Sequence, residues 1–241
     1  MSTTVGILYP GYSAEDDYPR AEKLLTDSSR LALVHTEMRE DAHRVDALLD
    51  IGGDDVLGAG ARSLASEGLD SIVWACTSGS FVFGVSGARD QVARLQKVAG
   101  VPASSTSFAF VDACRALGVS SVAVGATYPP DVAGRFVQFL THHDISVLTM
   151  SARDIITAAE VGTLPGDVVL DFAEAVSGDA QDAEAILLPD TALHTVDVLD
   201  ALEERVGKPV LTANQVSIWQ GLRLAGSDVH RDGLGTLFRK G

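Results

Sequence analysis

The chain alternates short, almost wholly apolar runs with longer stretches in which apolar residues recur at helical spacing. The runs are VGILYP (5–10), LALVHT (31–36), SIVWAC (71–76), VPASST (101–106), SVAVGA (121–126), SVLTM (146–150), AILLP (185–189) and PVLTA (209–213). Runs without polar alternation are the mark of strands buried on both faces, and strands that alternate with helices point to parallel sheets covered by helices. Val92, Leu95 and Val98 fall on one helical face, as do Val198, Leu199, Leu202 and Val206; each of these segments ends in Gly-x-Pro, which stops a helix and starts the next strand.

The pattern occurs twice. A strand running into proline opens each half (ILYP at 7–10, ATYPP at 126–130), and each half later has an apolar strand that ends in a polar-Thr pair, Cys76-Thr77 or Asp190-Thr191. The expected fold is α/β, with two similar lobes, each a parallel sheet flanked by helices, related by pseudo-twofold symmetry with the site between them. The first lobe is expected over 1–107 plus a returning C-terminal helix at 217–241, and the second over 108–216. Ligands in open parallel sheets sit beyond the carboxyl ends of the strands, so Cys76 and Asp190 are expected to face one crevice. GDAQDAE (178–184) is expected as an exposed connection.

Composition narrows the partners. With 241 residues the chain can bury a substantial core, and a net charge of −15 offers no footprint for phosphates, so neither nucleic acid nor an anionic membrane is an expected partner. The start MSTTVGILYP lacks the features of a signal peptide, and the chain reads as soluble and cytoplasmic. Its two cysteines, Cys76 and Cys114, read as reduced thiols. The six histidines form no zinc-binding spacing, so neither a metal nor a cofactor is expected.

Candidate chemistry gathers after the strands. Cys76 opens C-T-S-G, where hydroxyls and backbone N–H groups at a helix start are expected to lower its pKa and make it a nucleophile. Cys114 falls on a helical stripe with Phe110, Val111 and Leu117 and reads as core. Thr77, Ser78, Tyr128 and Thr191 are candidate donors to a substrate carboxylate, able to stabilise the enediolate that forms when charge develops beside it. Asp190 reads either as an acid or base facing Cys76 (or the partner of a substrate cation), or as the N-cap of a following helix. Asn214 could bond a carboxylate or cap the last helix. His194 could share a proton with Asp190, though a histidine at the surface or one layer behind the site is the commoner case. His142-His143, Asp16-Asp17, Asp54-Asp55 and Glu203-Glu204 read as solvated charges.

ACTSGSF, GATYPPDV, ILLPDTALHTVDVLDALEERVGKPV and TANQVSIWQGLRLAG, in that order, resemble the aspartate/glutamate racemase superfamily, and within it the branch of maleate cis-trans isomerase and arylmalonate decarboxylase. The resemblance implies a cofactor-free site between two lobes, chemistry at a carbon next to a carboxylate, and Cys76 at the first of two cysteine positions. Asp190 stands at the second, where maleate isomerases have cysteine. The resemblance also matches Tyr128 to a carboxylate-binding tyrosine, and Asn214-Gln215 to an Asn-Gln pair of maleate-isomerase relatives. The expected function is a cofactor-independent isomerase of the maleate cis-trans isomerase type, acting on a small-molecule carboxylate substrate through Cys76. A decarboxylase or racemase in which Cys76 donates a proton, and a non-catalytic carboxylate-binding protein, are the alternatives. Whether the chain forms a homo-oligomer is left open.

Overall fold

The computed structural model describes residues 3–25, 29–227 and 229–241. All eight apolar runs form strands: β1 (Thr4–Pro10), β2 (Arg30–Thr36), β3 (Ser71–Trp74), β4 (Ala103–Ser105), β5 (Ser121–Ala126), β6 (Ser146–Ala152), β7 (Ala185–Leu188) and β8 (Val210–Thr212). They make two four-stranded sheets, ordered β2-β1-β3-β4 and β6-β5-β7-β8, with every pairing parallel. The second order is the first displaced by four strands, so the repeat seen in the sequence is a repeat of topology. Register agrees: Val5 pairs with Leu31 and Ser71, and Val122 with Val147 and Ala185.

Burial explains the unbroken apolar runs. Ile7, Leu8, Ile72, Val73 and Trp74 in the first sheet, and Val122, Val124, Ile186, Leu187 and Leu188 in the second, are fully buried. Each such side chain contributes about 1.5–3 kcal/mol by leaving water. The helices Gly84–Ala99 and Leu199–Val206 both end on a left-handed glycine, Gly100 (φ 73°) and Gly207 (φ 69°), from which the chain turns into β4 and β8.

The helix Ala213–Leu224 starts at the end of β8, where Thr212 and Gln215 form a reciprocal capping box, and packs across β1, β3 and β4 of the first sheet. Gly221 allows this approach: a Cβ there would lie 2.3 Å from Val5. Ser71 Oγ donates to the Gly221 carbonyl at 2.7 Å. The C-terminal segment therefore ties the second sheet to the first. No described helix is long and apolar enough to cross a membrane.

Candidate active site

Cys76 is the second residue past the end of β3, and Asp190 the second past the end of β7, the equivalent strand of the other sheet. Both side chains line one pocket.

After Cys76 the chain winds into a short helix, Ser78–Phe81. The Gly79 N–H donates to Cys76 Sγ at 3.2 Å, and the Ser78 hydroxyl lies 3.7 Å from it. Gly79 fits because a Cβ would come within 3.0 Å of Sγ and 3.1 Å of Trp74. Gln91 holds the turn by donating to the carbonyls of Gly79 (2.9 Å) and Gly52 (2.8 Å), and Ser107 Oγ by donating to the Thr77 carbonyl (2.8 Å). The expectation of a lowered thiol pKa is corrected here. Burial, helped by the charge of Asp190, outweighs the Gly79 and Ser78 donors and pushes the Cys76 thiol up to about 11. The sulfur rests as S–H at neutral pH. Cys114 is fully buried in the core, and burial pushes it up to about 12.

Asp190 begins no helix; the next helical turn is Val196–Val198, so the N-cap reading is not realised. Instead one carboxylate oxygen accepts the Ala192 N–H at 2.9 Å, and the other accepts the Thr127 hydroxyl. Thr191 lines the pocket, and its carbonyl accepts from Tyr9 Oη (2.9 Å) and Asn214 Nδ2 (3.1 Å). The Tyr128 hydroxyl donates to the Pro189 carbonyl, just before Asp190, and its ring packs edge-on to His43 at 5.0 Å. Burial raises its pKa well above that of a free phenol. The Thr77 hydroxyl is buried without a hydrogen-bond partner.

Asn214 is not among the pocket-lining residues. It is fully buried with every polar atom engaged: Oδ1 accepts from Tyr18 Oη at 3.1 Å, and Nδ2 donates to Asp17 Oδ2 (3.0 Å) and the carbonyls of Thr191 (3.1 Å) and Leu193 (3.3 Å). It braces the segment that carries Asp190. The structure thus brings Cys76, Ser78, Asp190 and Thr191 to the pocket wall, with Thr77 and Tyr128 packed beside them and Asn214 a layer behind.

Several neighbours were not legible in the sequence. Asp17, read as solvated, is fully buried; its Oδ2 accepts from the N–H groups of Thr195 (2.9 Å) and Val196 (3.3 Å), and burial raises its pKa. Glu203 is likewise buried, bonded to Thr236 and Arg239. His143 is buried against Phe139 and Phe108, and His194 bonds Asp16 at 2.7 Å rather than Asp190. The pocket roof is the segment between β2 and the helix Val45–Ile51, which contributes Glu40, Asp41, Ala42 and His43. Asp41 accepts the N–H groups of Ala158 (2.7 Å) and Ala159 (2.9 Å), while His43 donates its N–H to the Ile156 carbonyl (2.8 Å) and places Nδ1 2.8 Å from that of Ile155. So clasped, the pocket is narrow, ≈30 Å³, and partly open to solvent. Among the described residues no group of three or more His, Cys, Asp or Glu side chains is placed to hold a metal ion.

Two matching parallel-sheet lobes, with a thiol and a carboxylate at equivalent strand ends over one pocket, define a two-lobed α/β enzyme. The model of the arylmalonate decarboxylase family matches residues 44–238, and the chain belongs to that family. It is 28% identical over 179 residues to the arylmalonate decarboxylase of Bordetella bronchiseptica, covering 74% of this chain and 75% of that one. Among solved structures, the maleate isomerase of Pseudomonas putida S16 with maleate superposes at a TM-score of 0.89 with 22% identity, covering 100% of this chain and 98% of the other. The maleate cis-trans isomerase of Nocardia farcinica, solved with a covalently bound succinylcysteine intermediate, superposes at 0.86 with 21% identity over the full length of both chains.

Proposed function

We propose that this chain is a cofactor-independent isomerase of the maleate cis-trans isomerase type, acting on a small unsaturated carboxylate with Cys76 as nucleophile. The observation that carries the reading is the placement of Cys76 Sγ, bonded by the Gly79 N–H, in one pocket with Asp190 from the other lobe. Because the resting sulfur is protonated, attack needs a proton acceptor, and Asp190 is the carboxylate across the pocket that serves.

In the forward step the S–H proton passes to Asp190 as sulfur bonds to one alkene carbon, and the π pair moves into the adjacent carboxylate as an enediolate. Thr77, Ser78 and Tyr128 supply the donors that stabilise this charge, Tyr128 by exchanging the Pro189 carbonyl for the substrate. The former double bond, now single, rotates. Collapse of the enediolate reforms the alkene in the trans geometry, breaks the C–S bond and returns the proton from Asp190 to sulfur. No atom is gained or lost.

The test follows cis-butenedioate and its monoamide by proton NMR. The wild type is expected to yield the trans product and Cys76→Ala to lose at least about 10³-fold of the rate. Absence of trans product from both compounds overturns the reading. A second reading draws on the resting thiol: a protonated Cys76 is a ready acid for the planar intermediate left when a malonate loses carbon dioxide. Release of carbon dioxide from an arylmalonate, with solvent deuterium incorporated at the α-carbon, selects it.

A further inference from the structure

Charge is unevenly placed around the pocket. Glu40, Asp41 and Asp190 line it, and no lysine or arginine does among the described residues. Two of these carboxylates are spent elsewhere. Glu40 pairs with Arg44 at 3.0 Å, and Asp41 accepts the Ala158 and Ala159 N–H groups. Asp190, 4% exposed, is bonded only by neutral groups, the Thr127 hydroxyl and the Ala192 N–H. Beside Cys76 the pocket is lined by the Ser78 hydroxyl, a neutral donor, with the buried Thr77 hydroxyl next to it in the chain. The pocket thus offers a hydroxyl donor beside Cys76 and a carboxyl acceptor without a cation at Asp190.

Cys76 and Asp190 line the same pocket, so a molecule touching one also faces the other. A second carboxylate there would meet a like charge with little water to screen it, whereas an N–H donor would add a charge-assisted hydrogen bond. We infer that the substrate is a cis-alkenoate with a single carboxylate, held at the Thr77–Ser78 end, whose other arm is a neutral hydrogen-bond donor such as a primary amide turned toward Asp190. This rests on the isomerase reading for the alkene, and on the charge of the pocket alone for the arm.

Binding separates the two. In Cys76→Ala, which cannot add to the alkene, calorimetry with maleate and with its monoamide is expected to show the monoamide binding at least about tenfold more tightly. Adding Asp190→Asn to that variant is expected to remove most of the preference, chiefly by tightening maleate. Asp190→Ser serves if the asparagine variant does not fold, as judged by circular dichroism. Equal or tighter binding of maleate, or a preference unmoved by either substitution, overturns the inference. Turnover by the wild type then reports independently. A monoamide preference without trans product keeps the inference and removes the isomerase reading. Trans product from maleate faster than from the monoamide keeps the reading and removes the inference. Failure of both compounds to bind removes both.

Discussion

The two cysteines show how little residue identity decides by itself. Both are buried and both thiols are pushed upward, yet only Cys76 has a donor N–H on its sulfur and a carboxylate across a pocket. The raised pKa has a measurable sign. An unfolded thiol ionises near 9.0 and folded Cys76 only near 11, so the fold holds the proton more tightly; the stability from this group is complete below pH 9 and is lost between pH 9 and about 11. Iodoacetamide labelling of Cys76 is therefore expected to keep accelerating from pH 8 toward 11, while Cys114 stays unlabelled in the folded protein. A plateau below pH 8 would mean a low-pKa thiolate and would contradict the burial that raises it. The same lesson holds for Asp16 and Asp17, adjacent and alike in the sequence. One is bonded by Arg20 at the surface, and the other is fully buried beneath Thr195 and Asn214.

Elements are far more legible than residues. Strands buried on both faces are apolar throughout, which marks β1, β3, β5 and β7; the partly exposed edge strands β2 and β6 are legible as β-rich runs, and the strand order came from the structure. The turn that carries Cys76 was visible only as a cluster of small residues, and its support comes from afar. Gly52, at the end of the helix Val45–Ile51, touches it so closely that a Cβ would lie 2.3 Å from the Gly79 carbonyl oxygen and 2.8 Å from Gln91 Nε2. Gly52→Ala is accordingly expected to cost about 1–3 kcal/mol in urea denaturation and to lower turnover by displacing Gly79 from the sulfur. Unchanged stability would show that the turn yields freely. Asp190 marks the limit of element reading. P-D-T-A-L is a sound helix start, but the Asp190 carboxylate bonds the Ala192 N–H within a turn and the helix waits until Leu199. Capping preference describes only the local chain, and here the Thr127 hydroxyl from the neighbouring strand end takes part as well.

At the scale of the molecule, the pocket exists only because segments from both halves meet. The roof segment belongs to the first sheet's connections, yet Asp41 and His43 bond residues 155–159, which follow β6 of the second. Two hydrogen bonds to a charged group are worth about 1.5–3 kcal/mol each, and this clasp narrows the pocket over Cys76. Asp41→Ala is expected to raise the rate at which a bulky disulfide reagent reaches Cys76 at least about tenfold and to lower the melting temperature. An unaltered rate would place the barrier elsewhere. The hydrophobic pattern by itself determined the two parallel sheets, their repeat and the positions of Cys76 and Asp190 at equivalent strand ends, because burial on both faces leaves an unbroken signature along the chain. Only the tertiary structure decided the proton on the sulfur, the retirement of Asn214 to a brace, the burial of Asp17 and the closure by Asp41. Each of these depends on desolvation and hydrogen bonds from residues distant in sequence, and these have no period for the chain to display.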